Sequence, residues 1–305
     1  MAYSDHLEEF HEATVVEFND AGDWQGPLAA YRLREDYEDE GKIESQLSAL
    51  LEQPQSAQLR ALIIGSWSGS FEGENSAEMV AALVNAAPRL PELRHLFFGE
   101  MVFEECEISW IKLSDMSPLL NAFPKLESLR VRGGEGLAFS KVKHDSLREL
   151  AVESGGLPRA AIRDIFLCQF PALEHLELLL GEANYGFDGG AEDLQPLLSG
   201  QLFPKLKWLG LMNSEIANDI AAVVVNAPIV SRLETLDLSL GNLDGEGVQS
   251  LAGLAAFPNL RTLNITHHFA TDGEIAALKK ALKCQVIADE RQEPEEDWRP
   301  IVHAE

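Results

Sequence analysis

Eight histidines are the first side chains to weigh for chemistry: His6, His11, His95, His144, His175, His267, His268 and His303. None lies in an HExxH motif, and no CxxC pair occurs, so the spacings that place metal ligands on one helix face or one turn are missing. Glu149, His175 and Glu177 are the one combination with a chemical reading. On neighbouring strands their side chains would stand about 5 Å apart. There they would form a weak metal site, an acid/base pair or a hydrogen-bonded surface cluster. The His267–His268 pair reads either as ligands or as one packed and one surface residue. The run GSWSG from Gly65 imitates a nucleophile elbow but has Trp67 where the serine belongs. The run RGGEG from Arg132 lacks the Gly-Lys-Ser/Thr ending that holds a phosphate. Cys106 stands among Glu104, Glu105 and Glu107, whose charges oppose a thiolate rather than activate one. Cys168 and Cys284 read as small core residues. No nucleophile, base and orienting group converge. The expectation is a chain that is not an enzyme and needs no cofactor or metal.

The elements that position these side chains show themselves through a repeat. The pattern L-x-x-L-x-[LIVF] starts at Leu59, Leu93, Leu126, Leu147, Leu173, Leu206, Leu233 and Leu260. The starts are 34, 33, 21, 26, 33, 27 and 27 residues apart. Between the later ones lie stretches with helical apolar spacing: IANDIAAVVVNA, DGEGVQSLAGLAAF and TDGEIAALKKAL. Pro91, Pro124, Pro171, Pro204 and Pro258 each precede a first leucine by two residues, four of them after Phe. Proline cannot continue a helix and favours extended geometry just before it, so each unit reads as helix, stop, short strand. Gly134, Gly155, Gly181 and Gly241 fall eight residues after a first leucine, where positive φ would let the chain turn away.

These residues resemble the leucine-rich repeat, in its longer ribonuclease-inhibitor-like form with a helix per unit, over roughly Leu59 to Cys284. The chain departs from that pattern where Gly replaces the usual Asn or Cys after the strand. The unit from Leu126 is also too short for a full helix. The stretches EECEISWI from Glu104, ESGGLP from Glu153, SEIAN from Ser214 and LDLSLG from Leu236 are similar to a family of bacterial leucine-rich-repeat proteins, a likeness that implies the fold and no activity. The implied fold class is an α/β solenoid, a horseshoe with a parallel concave sheet of about eight to ten strands and helices on the convex side. Residues 1–58 read as an acidic N-terminal cap continuous with the solenoid, with strands at TVVEF and AAYRLRED and a helix at KIESQLSALLEQ. Residues 59–284 are the repeats. Residues 285–305 are an acidic C-terminal tail, loosely ordered after a last short strand at CQVIAD.

Composition narrows the partners. The 305 residues are 46% hydrophobic and carry 50 Asp and Glu against 24 Lys and Arg, a formal charge of -26. The apolar content excludes disorder as the main state. The charge disfavours nucleic acid and anionic membranes. Acidity concentrates at the ends, with 14 acids and 3 bases in residues 1–58 and 7 acids and 2 bases in residues 285–305. That distribution fits solubility caps, or steering of a basic partner. The opening MAYSDHLEEFHE has no signal-peptide character, and three scattered cysteines suit a reducing cytoplasm.

Strand side chains alternate. With the leucines facing inward, one row of the concave face is Ala61, His95, Ser128, Glu149, His175, Trp208, Thr235 and Thr262. The next is Ile63, Phe97, Arg130, Ala151, Glu177, Gly210, Asp237 and Asn264. Long insertions follow the second and fifth repeat strands, GEMVFEECEISWIKLSD and LLGEANYGFDGGAED. Their strands lie about 14 Å apart by strand spacing, so the insertions would flank a surface between them, or Ile108, Trp110 and Tyr185 would merely pack them down. The expected function is a protein-binding scaffold. Its contact residues would be Phe97, Arg130, Glu149, His175, Glu177, Trp208 and Asp237 on the concave face, with Trp110 and Tyr185 on the loops. The alternatives are an accessory subunit, an inhibitor-like partner of a basic enzyme, and an enzyme using the Glu149/His175/Glu177 patch.

Overall fold

Each leucine triplet forms a strand, and the strands lie side by side in chain order. A computed structural model describes residues 3–36, 42–296 and 298–304. The repeat strands are β4 (Ala61–Ile64), β5 (His95–Phe98), β6 (Ser128–Arg132), β7 (Glu149–Glu153), β8 (His175–Gly181), β9 (Trp208–Ser214), β10 (Thr235–Asp237) and β11 (Thr262–Asn264). The acidic N-terminal region adds β1 (Glu9–Phe10), β2 (Ala13–Glu17) and β3 (Ala30–Leu33), and β12 (Gln285–Ile287) closes the far end. The result is one twelve-stranded sheet in sequential order, wider than the eight to ten strands expected. Every pair is parallel except β1 with β2, which form an antiparallel turn at the first edge. This is an α/β leucine-rich-repeat solenoid.

The triplet leucines enter the main core, most of them with no exposed surface. Helices cover them from outside: α1 (Lys42–Leu51), α2 (Ala77–Ala86), α3 (Ser117–Ala122), α4 (Arg159–Leu167), α5 (Gln195–Leu198), α6 (Ala217–Val224), α7 (Gly245–Leu251) and α8 (Asp272–Ala281). In α6 the buried residues are Ala217, Ile220, Ala221 and Val224, the i, i+3, i+4, i+7 stripe of a helix with one core-facing side. Helix α8 begins with a capping box in which Thr271 and Glu274 satisfy each other's backbone. The Phe-Pro stops also pack: Phe123, Phe170 and Phe203 are buried, the last two with ring centroids 5.9 Å apart. No helix forms in the short interval between β6 and β7.

The glycines after the strands work differently from the expectation. Of Gly134, Gly155, Gly181 and Gly241, only Gly181 has positive φ. The other three lie where a Cβ would strike neighbouring chain: Ser154 Oγ at Gly134, the Ala304 carbonyl at Gly155 and the Ser214 carbonyl at Gly241. Close approach of neighbouring backbone, rather than chain reversal, selects glycine there.

Both end segments fold back along the sheet. Residues 3–12 cross its concave side as a strap. The tail, expected to be loose, runs along the C-terminal edge of the strands. There Val302 N–H donates to the Leu240 carbonyl at 3.0 Å. The fully buried Asn213 clasps His303 through both backbone groups, its Nδ2 donating to the carbonyl at 2.6 Å and its Oδ1 accepting from the N–H at 2.8 Å. Arg299 pairs with Asp244 at 3.1 Å, and Ile301 is buried. Strap and tail meet where the Tyr3 ring stacks on the His303 imidazole, 4.3 Å between centroids.

Candidate interaction surface

The two concave rows are continuous in register. His95 pairs with Ser128, Ser128 with Glu149, Glu149 with His175, His175 with Trp208, Trp208 with Thr235 and Thr235 with Thr262. Phe97, Arg130, Ala151, Glu177, Gly210, Asp237 and Asn264 form the second row in the same way. What differs along the rows is access.

Over β3 to β6 the strap occupies the concave side. Phe10 is buried against Phe97, with ring centroids 6.1 Å apart, in a small apolar cluster with Ala30, Ala61 and Ile63, and Leu7, Ala13 and Val15 pack around it. Phe97 therefore has no exposed surface and is not a contact residue on this surface. His11 reaches Ser128 Oγ with Nε2 at 2.9 Å and stacks on His95 at 3.9 Å. Burial and the neighbouring His11 lower the His95 pKa to about 4. His11 is lowered as well, first by burial. The insertion after β5 clamps the strap from the side. Glu100 accepts from Leu7 N–H at 2.9 Å and lies 2.9 Å from His6, while Glu105 lies 3.4 Å from the other ring nitrogen. Hydrogen bonds that the ring donates to these two carboxylates raise the His6 pKa to about 9. Arg32, itself buried, bridges Glu100 Oε2 at 2.7 Å and the Leu7 carbonyl at 2.7 Å.

In the middle of the sheet, cations and carboxylates satisfy one another. Arg130 and Arg132 each contact the buried Glu153 at 2.6 Å. Burial works against the Glu153 carboxylate, and the two guanidiniums outweigh it, holding its pKa below the ordinary value. Arg132 lies 3.6 Å from the Tyr3 ring centroid and 5.2 Å from that of Phe97, and Arg130 lies 5.8 Å from Phe97. Arg130 also approaches Glu177 at 3.7 Å and Glu149 at 3.9 Å.

Glu149, His175 and Glu177 do come together. His175 Nε2 is 3.5 Å from Glu177 Oε2, while Glu149 turns to Arg130. Among the described residues no group of three His, Cys, Asp or Glu side chains could hold a metal ion. His175 is instead committed to Trp208, with rings 3.8 Å apart and 7° from parallel. From this stack to β12 the face is open: Trp208, Thr235, Thr262 and Asn264 are all part-exposed. Asp237 lies nearly buried in its floor, accepting from Ser239 N–H at 2.9 Å and from Asn264 Nδ2 at 2.8 Å. Burial raises its pKa, and the Glu177 charge adds to that.

The two insertions meet at the C-terminal edge. Ile108 is buried beside Gly155 and leaves Trp110 66% exposed. The Tyr185 backbone rests directly on Gly156, so that a Cβ there would collide with it. Trp110, Lys112, Glu135, Pro158, Asn184 and Tyr185 line a cleft of about 520 Å³ between the loops, within the range of ligand-sized sites. The Cys106 thiol is pushed up to about 11 by burial and then by Glu107 and Glu105.

Neither the strap nor the tail clasp follows from the repeat pattern. The signal for the strap was present: Ile63 and Phe97 are bulky and apolar in a row otherwise bearing Arg130, Glu177, Asp237 and Asn264. A position like that on a water-facing row implies a cover.

Among solved structures, a protein from Bacteroides fragilis is 30% identical, covers 90% of this chain and 76% of its own, and superposes with a TM-score of 0.79. An internalin (inlF) from Listeria monocytogenes is 16% identical over 87% of this chain and 82% of its own, with a TM-score of 0.34. A TLR13–ssRNA13 complex gives 12% identity over 86% of this chain and 48% of its own, with a TM-score of 0.29. Overlays as loose as these last two carry no argument about this chain. No protein-family model and no curated protein matches it.

Proposed function

For a chain that belongs to one family with the Bacteroides fragilis protein, we propose the role of a protein-interaction scaffold that binds through the open half of its concave face and the neighbouring loop cleft. One observation carries this reading. The chain covers the apolar half of the concave face with its own residues, yet leaves an aromatic pair, His175–Trp208, uncovered beside carboxylates on the other half. Solenoids of this kind present extended concave surfaces, and a part-exposed stacked indole is the type of residue that anchors a partner. The contact set is then His175, Glu177, Trp208 and Asp237, with Arg130 and Glu149 at its border and Trp110 and Tyr185 on the loops. Phe97 acts from beneath, as the seat of Phe10.

The helix-bearing units support placing the repeats in the ribonuclease-inhibitor-like type. Residues 1–58 and 285–305 serve as end caps around the repeats of 59–284. Three free cysteines accord with a cytoplasmic setting. No helix among the described residues is long and apolar enough to cross a membrane. Binding without catalysis is favoured because the Glu149/His175/Glu177 patch is engaged by Arg130 and Trp208. A second reading, an inhibitor-like or accessory partner of a basic enzyme, is favoured by the acidity of the chain and by fold analogy.

The test is capture from native lysate with wild type beside a Trp208→Ala/Tyr185→Ala variant, at low and high salt. A stoichiometric protein lost from the variant supports the scaffold. Equal backgrounds from both baits reject it. Retention that falls steeply with salt favours a basic partner, because screening weakens charge steering.

A further inference from the structure

We propose that the open half of the concave face is built to receive an arginine side chain of the partner, its guanidinium lying against the uncovered face of Trp208 above Asp237. This rests on the scaffold reading and names the chemistry of what is bound.

The slot follows from the strand order. The parallel rings of His175 and Trp208 stand on adjacent strands, so His175 covers one face of the indole and the other turns toward Thr235 on β10. The indole leans along its own strand above Gly210. A Cβ at that position would lie 2.6 and 2.7 Å from two of its ring carbons. Glycine is what lets the ring lie there. Beyond the free face come Thr235 and Thr262, small side chains in register with Trp208, and Asp237 in register with Gly210. The slot therefore has an aromatic wall, a low threonine side and a carboxylate in its floor.

The molecule shows the same chemistry already satisfied a few strands away. Arg130 and Arg132 lie against the rings of Phe97 and Tyr3 while contacting Glu153. Aromatic face, guanidinium and carboxylate are all present there, within one chain. Around Trp208 and Asp237 the aromatic face and carboxylate recur, but the groups facing Asp237 are Ser239, Asn264 and Glu177. No basic side chain of the described residues pairs with it. A planar cation fits this gap better than a compact ammonium, because it stacks on the ring and offers several N–H donors at once. An anionic or purely apolar segment would leave the nearly buried Asp237 without a counter-charge.

The test uses the full chain and a short probe, acetyl-Gly-Arg-Gly-amide, beside its lysine and citrulline analogues. Binding is followed through the side-chain proton signals of the probe. The arginine probe is expected to bind about 5- to 30-fold more tightly than the citrulline probe, with lysine between them. Asp237→Asn and Trp208→Leu should each remove most of that preference, while Trp208→Phe retains part. Glu78→Gln, an exposed acid on the convex side, should change nothing. Thermal melts confirm that each variant is folded, and Gly210→Ala gives an independent route by displacing the indole without removing it. Equal binding of arginine and citrulline overturns the proposal. So does a loss with Glu78→Gln as large as with Asp237→Asn, which is the mark of general attraction to an acidic surface. A partner captured through Trp208 that 50-fold excess arginine probe fails to compete away leaves the scaffold standing and removes the slot. A probe that binds as described to a chain that captures no protein supports the slot and removes the scaffold.

Discussion

On the concave face, the half from β3 to β6 and the half from β8 to β12 share one register and one backbone, yet only the first is roofed. Under the strap the row holds Ile63 and Phe97, and Phe10 completes a small core above them. On the open side the same row holds Glu177, Gly210, Asp237 and Asn264, groups that tolerate water. The repeat fixes which positions face the concave side. Whether a position belongs to a core or to a binding surface is decided by what the non-repeating ends place over it.

Substitutions at corresponding positions should separate the two halves. Phe97→Ala empties a site with no exposed surface and is expected to destabilise the fold by about 3–5 kcal/mol, read by chemical denaturation. If it costs less than 1 kcal/mol, the strap is not a roof. Asn213→Ala strips the tail of both hydrogen bonds to His303. Its cost should be about 1–3 kcal/mol, with residues 298–304 becoming open to proteolysis before the repeats are.

Closure of the strap should depend on pH in both directions. His6 is raised to about 9, first by its hydrogen bond to Glu100 and then by that to Glu105, while the cation facing it, Arg32, is held on Glu100. Its contribution is complete below the ordinary 6.5 and fades as pH rises through 9. His95, lowered to about 4 by burial and by His11, acts in the opposite sense, as does the lowered His11. Glu127 and Glu149 pull this pair toward protonation, and Arg94, Arg60 and Arg130 push against it. Both must charge under the strap, so closure weakens as pH falls from 6.5 toward 4. Protection factors of the Leu7 and Val15 amides, the intrinsic base-catalysed rate at each pH divided by the exchange rate, should accordingly peak near pH 6.5. His6→Gln should flatten the alkaline limb and His95→Gln the acid limb. A monotonic profile would reject the assignment.

The smallest effect on stability is expected on the open side. Trp208→Ala loses a part-exposed stack worth about 0.5–1.5 kcal/mol, although it should abolish partner capture. A loss of stability there equal to that of Phe97→Ala would erase the distinction between the halves.

Much of this was legible because the repeat is local and periodic. Leu206, Leu209 and Leu211 mark the inner side of β9 by spacing alone, which places Trp208 and Gly210 opposite them. The Phe-Pro stops are equally local. Ile63 and Phe97 imply that something covers them, but which segment does so was not legible for the strap, nor was the tail clasp, because these contacts have no period and span long separations: His11 meets Ser128 across 117 residues and Asn213 meets His303 across 90. Nor does anything in residues 3–12 distinguish an apolar anchor at Phe10 from an incidental one in an acidic stretch. The insertions illustrate an intermediate case. Their length and spacing announced a shared edge, and Trp110 and Tyr185 do line one cleft. That Glu100 and Glu105 would also grip His6 could be read only once the strap was in place.

The stack of Tyr3 on His303 bears on how such a molecule comes apart. A linear array of repeats held only by nearest neighbours melts by fraying, since its first and last units each lack one neighbour. Here the opposite extremities lean on each other and on Arg132 and Asn213 in the middle. In coupling terms the spring has been closed into a hoop. Neither extremity can peel away without disturbing the other, so loss of structure should be concerted and late rather than gradual.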